Sequence, residues 1–263
     1  MKQPIKTNLY LIKELTKREI SSKYKGSWLG MLWVFLTPLA MLVVFTFVFG
    51  EIFQAKWPGD QNQSMLSFSI NLFVGLGFFW FFADILGRST QLFVSNVNYV
   101  KKVIFPLEVL PVVSLLSGLF HLCIHIAIII GLLLIVNGTI GLSIIALPLI
   151  IFVSIPMLIG LGLLLGSVGV FVRDLGTIIG VSINMLMFLS PVFYPLSAIP
   201  AHLQWLFHIN PLTVLIQESR TVLVYDQFPN WGNLGIYFII SLGIYFMGYT
   251  IFRMTKKGFA DVL

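Results

Sequence analysis

Two histidines four residues apart, His121 and His125, with Cys123 between them, come nearest in this chain to a metal-ligand pattern. On a helix the two imidazoles share a face that Cys123 does not. A metal site needs three or four ligands, and no convergent carboxylate completes this one, so packing or inter-helix hydrogen bonding is the expected role. Asp84 and Arg88, also four apart, can pair on one helical face. Asp84 is the one plausible acid inside an apolar stretch. A proton- or sodium-coupled mechanism needs more ionisable groups at membrane depth than that. His202, His208, Glu218, Arg220 and Asp226 fall late in the chain at no spacing that marks a catalytic constellation. No G-x-x-x-x-G-K-S/T run occurs, so the chain has no phosphate loop with which to hydrolyse nucleotide. Active transport by this chain would draw its energy from another subunit.

The elements that position these residues are apolar. The chain is 58% hydrophobic and 10% charged, against about 25% charged in a soluble domain. Six windows are long enough to cross a bilayer: Met31 to Phe49, Ile70 to Phe93, Leu107 to Val136, Gly141 to Val172, Leu175 to Phe193 and Leu234 to Phe252. An all-α integral membrane protein with six transmembrane helices is expected. The basic residues orient it. Lys2, Lys6, Lys13, Lys17, Arg18, Lys23 and Lys25 precede the first window, and Arg88, Lys101, Lys102, Arg173, Arg253, Lys256 and Lys257 fall on the same side of the later ones. Only Lys56 and Arg220 fall outside this pattern. Cytoplasmic loops carry the excess of Lys and Arg, which puts both termini in the cytoplasm. The net charge of +6 is therefore a topology signal, and no nucleic-acid partner is expected. The basic, mixed first segment argues against a cleavable leader, and composition leaves no room for a soluble domain. One cysteine excludes a disulfide within the chain.

Residues 1–27 form a segment apart from the six-span domain of residues 28–263. Ile5, Leu9, Ile12, Thr16 and Ile20 fall on one helical face, with Lys13, Glu14, Lys17 and Arg18 on the others. This is an amphipathic helix lying in the membrane interface. The inner loop Ser95 to Pro106 carries Lys101 and Lys102, and Pro106 and Glu108 suit the first turn of span three. Pro148 or Pro156 is expected to kink span four. Gly162-x-x-x-Gly166 permits close helix approach, within the chain or at a dimer seam. Ser190 to Gly232 holds five prolines and apolar stretches too short to cross, the pattern of a re-entrant outer segment between spans five and six. Phe188, Phe193 and Tyr194 crowd the end of span five; interfacial anchoring and a conduction surface for sugar rings both accommodate them.

Several stretches resemble one family. Tyr24-Lys25-Gly26-Ser27-Trp28-Leu29-Gly30 with Trp33 and Thr37-Pro38-Leu39, Val103-Ile104-Phe105-Pro106-Leu107-Glu108-Val109-Leu110-Pro111, and Phe171-Val172-Arg173-Asp174-Leu175 resemble type-2 ATP-binding-cassette export permeases. So do Ser190-Pro191-Val192-Phe193-Tyr194-Pro195 and Asn210-Pro211-Leu212. The most similar members export polysaccharides and teichoic-acid-like polymers. The resemblance implies a homodimer in the bacterial inner membrane on two copies of a separate ATPase. ATP and Mg would bind that ATPase, leaving this chain a permease without a cofactor. The expected substrate is a lipid-linked polysaccharide, O-antigen or capsule. A small lipid or drug is the alternative within transport, and an intramembrane polymer ligase or lipid transferase the alternative of another class.

The site residues follow as expectations. Lys13, Arg18, Lys101, Lys102, Phe105 and Pro106 couple to the ATPase, Phe105-Pro106 transmitting its closure. Trp33 and Phe45 on span one, with Phe188 and Tyr194 on span five, line the path, each ring offering a face to sugar C–H groups. Pro191, Pro195, Asn210 and Pro211 build the outer gate.

Overall fold

The computed structural model describes residues 5–54, 57, 65–101 and 105–263, and for residues 5–8 the backbone alone. Every regular element among them is helical. The helices are α1 (Ile5–Tyr24), α2 (Trp33–Phe45), α3 (Met65–Ser89), α4 (Val97–Val100), α5 (Val109–Asn137) and α6 (Leu147–Phe171). They continue as α7 (Leu175–Phe188), α8 (Gln204–Ile209), α9 (Pro211–Leu223), α10 (Trp231–Thr255) and α11 (Phe259–Val262).

Among the described residues five stretches are long and apolar enough to cross a membrane: Gly30–Ile52, Met65–Ser89, Val109–Asn137, Leu142–Phe171 and Trp231–Val262. The window expected as span five is different. Its helix, α7, stops at Phe188 after 14 residues, about 21 Å at 1.5 Å per residue, against a hydrocarbon core of about 30 Å. Pro191 explains the stop, because a proline drives the residue before it out of the helical region.

α3 is the hub. Of its most apolar stretch 78% is buried, against 11% for the stretch containing α2, and α5, α6, α7 and α9 all pack on it. Small residues let the helices close. A Cβ on Gly248 of α10 would stand 2.1 Å from the Gly160 carbonyl oxygen of α6, and one on Gly169 would stand 2.0 Å from that of Thr90. Gly162 faces Pro111 of α5, and Gly166 faces Phe93 and the end of α3. The Gly162-x-x-x-Gly166 pair thus serves packing within the chain. Pro148 sits in the first turn of α6, where its missing N–H costs nothing. Pro156 lies inside the helix, and the next backbone N–H, of Met157, donates to Ser241 Oγ of α10 at 2.8 Å. A neighbouring hydroxyl thereby satisfies backbone freed by proline at membrane depth.

Span three begins later than the proline signal implied. Pro106 lies in a turn whose carbonyl accepts from Val109 N at 3.0 Å. Glu108 stands at the N-cap and pairs with Lys256 Nζ at 2.9 Å.

Candidate functional site

α1 joins the spans at the end of the bundle expected to face the cytoplasm. Its half-buried face carries Ile12, Leu15, Thr16, Glu19 and Ile20, while Lys13, Lys17 and Arg18 are exposed; α1 packs on α5. Arg88 of α3 donates to the Glu19 and Asp84 carboxylates and to the Ser114 carbonyl of α5 at 3.1 Å. Lys23 Nζ lies 3.3 Å from Asp84 Oδ1. Two acids and two bases balance, so this cluster is a latch between α1 and α3 with no net charge. The Asp84–Arg88 pairing expected from spacing is present. Beside it the Tyr24 hydroxyl meets His121 Nε2 at 2.8 Å, and His121 Nδ1 meets the Ser117 carbonyl at 2.7 Å. A carbonyl only accepts, so Nδ1 carries the proton and Nε2 accepts from Tyr24. Burial first, and the Asp84 charge second, push the Tyr24 phenol above its ordinary pKa, keeping that donor protonated. His125 Nε2 bonds the Phe73 carbonyl at 2.9 Å. Both imidazoles thus serve inter-helix hydrogen bonding.

Of the residues expected to couple to the ATPase, Arg18 and Phe105 are brought together through a residue the sequence did not flag. The Tyr99 and Phe105 rings stack with centroids 4.4 Å apart and planes 15° apart. The Arg18 guanidinium carbon lies 5.9 Å from the centroid of the Tyr99 ring. This joins the inner loop to α1 across a cleft of about 580 Å³. Lys13 and Lys101 are exposed and unpaired among the described residues, Pro106 turns the chain into α5, and Lys102 lies outside the described residues. Tyr99 carried no charge or motif; only its place six residues before Phe105 of the resemblance's Phe105-Pro106 hinted at it.

The outer segment folds onto α3. Asn210 caps α9: its Oδ1 accepts from Leu212 N at 2.9 Å, with Pro211 in the first turn. Its Nδ2 donates to the Leu189 carbonyl and to Ser190 Oγ at 2.9 and 2.8 Å, tying α9 to the end of α7. Pro191 and Val192 are buried, and Arg220 holds their carbonyls. Pro195 opens a turn closed by a 3.1 Å bond from Ala198 N. Arg220 is 4% exposed. It also donates to the Asn71 carbonyl of α3 at 2.9 Å, and its guanidinium carbon lies 4.4 Å from the Trp57 ring centroid. Its place near apolar stretches and off the basic side was the available signal: a cation at membrane depth is rare and is held by hydrogen bonds or a partner. Glu218 and Asp226, weighed with it as parts of an enzyme site, bind elsewhere, Glu218 to Asn230 and Asn233 and Asp226 to Ser143. The three groups do not converge.

The four residues expected to line the path separate into a row and two outliers. Phe193 sits edge-on to Phe45 at 6.2 Å and stacks on Phe188 at 5.9 Å, so α2 and the end of α7 meet through it. Phe49 extends the row, stacked on Phe193 at 5.6 Å. Phe188 is 61% exposed, and Phe45 is half-buried. Trp33 is exposed on the same helix as Phe45 and borders a different cleft, of about 440 Å³, with Lys23, Asp84 and His121. The Tyr194 hydroxyl donates to the Phe188 carbonyl, and its ring stands edge-on to Phe207 at 6.0 Å. Its polar atom caps α7.

A family model described as ABC-2 type transporter matches residues 10–224. The chain is 26% identical over 255 residues to an O-antigen export system permease protein RfbA of Klebsiella pneumoniae, a match covering 96% of this chain and 95% of that protein. It is 23% identical over 253 residues to the RfbA permease of Myxococcus xanthus, covering 95% and 94%. It is 25% identical over 258 residues to the polysialic acid transport protein KpsM of Escherichia coli, covering 94% and 93%.

Proposed function

The chain belongs to the ABC-2 type transporter family, and from that premise we propose that it is the permease subunit of an ATP-driven exporter moving a lipid-linked polysaccharide, O-antigen or capsule, across the bacterial inner membrane. The observation that carries this reading is the likeness over nearly the whole chain to proteins named for O-antigen export and polysialic acid transport.

In this reading two copies of the chain sit on two copies of an ATPase that binds ATP and Mg, and both termini face the cytoplasm. The ATPase contacts α1 and the inner loop. A push on Phe105 reaches α1 through Tyr99 and Arg18 and reaches α3 through the Glu19–Arg88 and Lys23–Asp84 pairs. α7 is the short fifth crossing. The outer segment dips back into the membrane, with α8 and α9 as its helices and the Pro191–Val192 break as its hinge. α2 and α7 leave Leu36, Val43, Ile178 and Met185 exposed. A second copy would enclose a path there that one bundle scarcely encloses, and the row through Phe45, Phe193 and Phe188 lines its outer half.

The test deletes the gene and complements it with the Phe105→Ala, Pro106→Ala double variant. Deletion should strip lipid-linked polymer from the cell surface. The double variant should insert normally and fail to restore it. Full surface polymer in the deletion strain rejects the exporter reading, and full export by the double variant rejects the coupling role.

A further inference from the structure

Glu218 on α9 is 6% exposed, and among the described residues no Lys, Arg or His makes an ion pair with it. Oε2 accepts from the Asn230 backbone N–H at 2.8 Å and Oε1 from Asn233 Nδ2 at 3.2 Å. A carboxylate has about four lone-pair sites, so half its accepting capacity is open. The N-terminus of α10 contributes roughly half a positive charge, which leaves the anion partly uncompensated. Arg220, two residues on, does not help, because it faces the other side of α9 and is bound to three carbonyls.

Glu218 lines a cavity of about 250 Å³ between α9, α10 and α6. A second, independent feature of that cavity asks for a ligand. Thr213 lines it too, is 1% exposed, and its Oγ1 has no hydrogen-bond partner among the described residues. The remaining wall is mixed: His208, Asn210, Gln217 and Tyr237 add polar groups, while Ile209, Ile236 and Ile240 border the cavity and are exposed on the outside of the bundle. Asn233 to Ile240 spans about 10 Å along α10. The cavity thus has an anionic, polar inner end and an apolar lip that runs down a membrane-facing helix.

We propose that this cavity binds the primary ammonium head group of an aminophospholipid, from the leaflet at the N-terminal end of α10. An ammonium offers three donors and a full positive charge. Glu218 takes the charge and one donor, Thr213 Oγ1 accepts a second, and the acyl chains lie along Ile236 and Ile240. The volume is below the roughly 300–1,000 Å³ typical of drug-sized ligands, so a head group fits and a glycan segment does not. A sugar hydroxyl would leave the carboxylate charge unpaired. The proposal does not rest on the transport reading.

The experiment titrates the full-length purified protein with short-chain phosphatidylethanolamine, phosphatidylcholine and phosphatidylglycerol and reads bound lipid by native mass spectrometry. The ethanolamine lipid should bind about tenfold more tightly than either of the others, the discrimination expected of one charge-assisted hydrogen bond. Phosphatidylcholine keeps the positive charge and lacks the N–H donors; phosphatidylglycerol lacks the positive charge. Glu218→Gln keeps the acceptor for Asn230 and should erase the preference, and Thr213→Val should weaken it severalfold. Equal binding of the three lipids by the unsubstituted protein overturns the proposal even if the variants fold poorly. So does an undiminished preference in Glu218→Gln, and so does tighter, Glu218-dependent binding of a neutral glycolipid, which would make the cavity a sugar site.

Discussion

Arg220 on α9 donates from Nη2 to the carbonyl of Val192, 28 residues earlier, at 2.8 Å, and so pins the break after α7 against the hub helix. Replacing it with Gln leaves the Pro191, Val192 and Asn71 carbonyls short of donors in a buried site. Stability should fall by about 3 kcal/mol or more. Arg220→Lys keeps the charge and loses the planar fork, so its loss should be intermediate. Gly75→Ala should behave like a mild Arg220 variant, because its Cβ would stand 2.6 Å from Arg220 Nη2. Thermal unfolding of the purified variants ranks the three; an unchanged midpoint for Arg220→Gln contradicts the pinning role.

The stack of Tyr99 on Phe105 carries a separate expectation. Tyr99→Leu removes the ring that both Arg18 and Phe105 contact. Polymer export should drop severalfold while membrane abundance and ATPase association hold, and Tyr99→Phe should keep export near normal. If Leu exports as well as Tyr, the inner loop reaches α1 by another route.

The latch between α1 and α3 should yield a modest coupling. The paired side chains are 24–34% exposed, and ion pairs with that much water contact are worth about 0.2–1 kcal/mol. A double-mutant cycle on Glu19 and Arg88 isolates the term. Glu19→Gln and Arg88→Gln should each lower stability, and the double variant should cost less than their sum. Strict additivity would mean the pair contributes nothing.

Much of this arrangement was legible in the sequence. The long apolar windows, the amphipathic spacing of Ile12, Thr16 and Ile20, and the Asp84–Arg88 pair are local periodicities, and local periodicity survives folding. The end of α7 was misplaced because hydrophobicity runs on through Val192 and Phe193 after the backbone has already left the helix for Pro191. The roles of Tyr99 and Arg220 were hidden for another reason. Each acts on partners distant in sequence, Arg220 on Asn71 149 residues away, and no periodic signal reports such contacts. Tyr194 shows the converse: a hydroxyl near span five reads as wet, and it is bound to the Phe188 carbonyl.

Where α6 and α10 close, the backbone leaves no room for a side chain. In Gly248→Ala the new methyl group would stand 2.1 Å from the Gly160 carbonyl oxygen, and helix backbone cannot yield as a side chain would. Overpacking of this kind costs about 1–3 kcal/mol or more. Gly243→Ala on the same helix meets nothing within 4 Å and serves as the control. Steady-state abundance in the membrane should fall for the first variant and not for the second. Equal abundance of the two would show that α6 and α10 can separate without penalty.

The aromatic row gives the last prediction. Phe193 touches Phe45, Phe49 and Phe188, so it joins α2 to the end of α7, whereas Phe188 is mostly exposed. The two should therefore fail differently. Phe193→Ala removes a shared partner and should lower both stability and export. Phe188→Ala removes an exposed ring and should leave stability within about 0.5 kcal/mol, as surface substitutions do. If that ring meets the sugar chain, export should still fall, because the glycan loses an apolar face that binds weakly enough to release. Phe188→Trp should retain export and Phe188→Leu should not, since a planar face and not bulk is required. A ring in lipid gives the opposite result, with Leu as good as Phe. Surface polymer measured at matched permease abundance separates the cases, and normal export by both Phe188→Ala and Phe188→Leu removes this residue from the path.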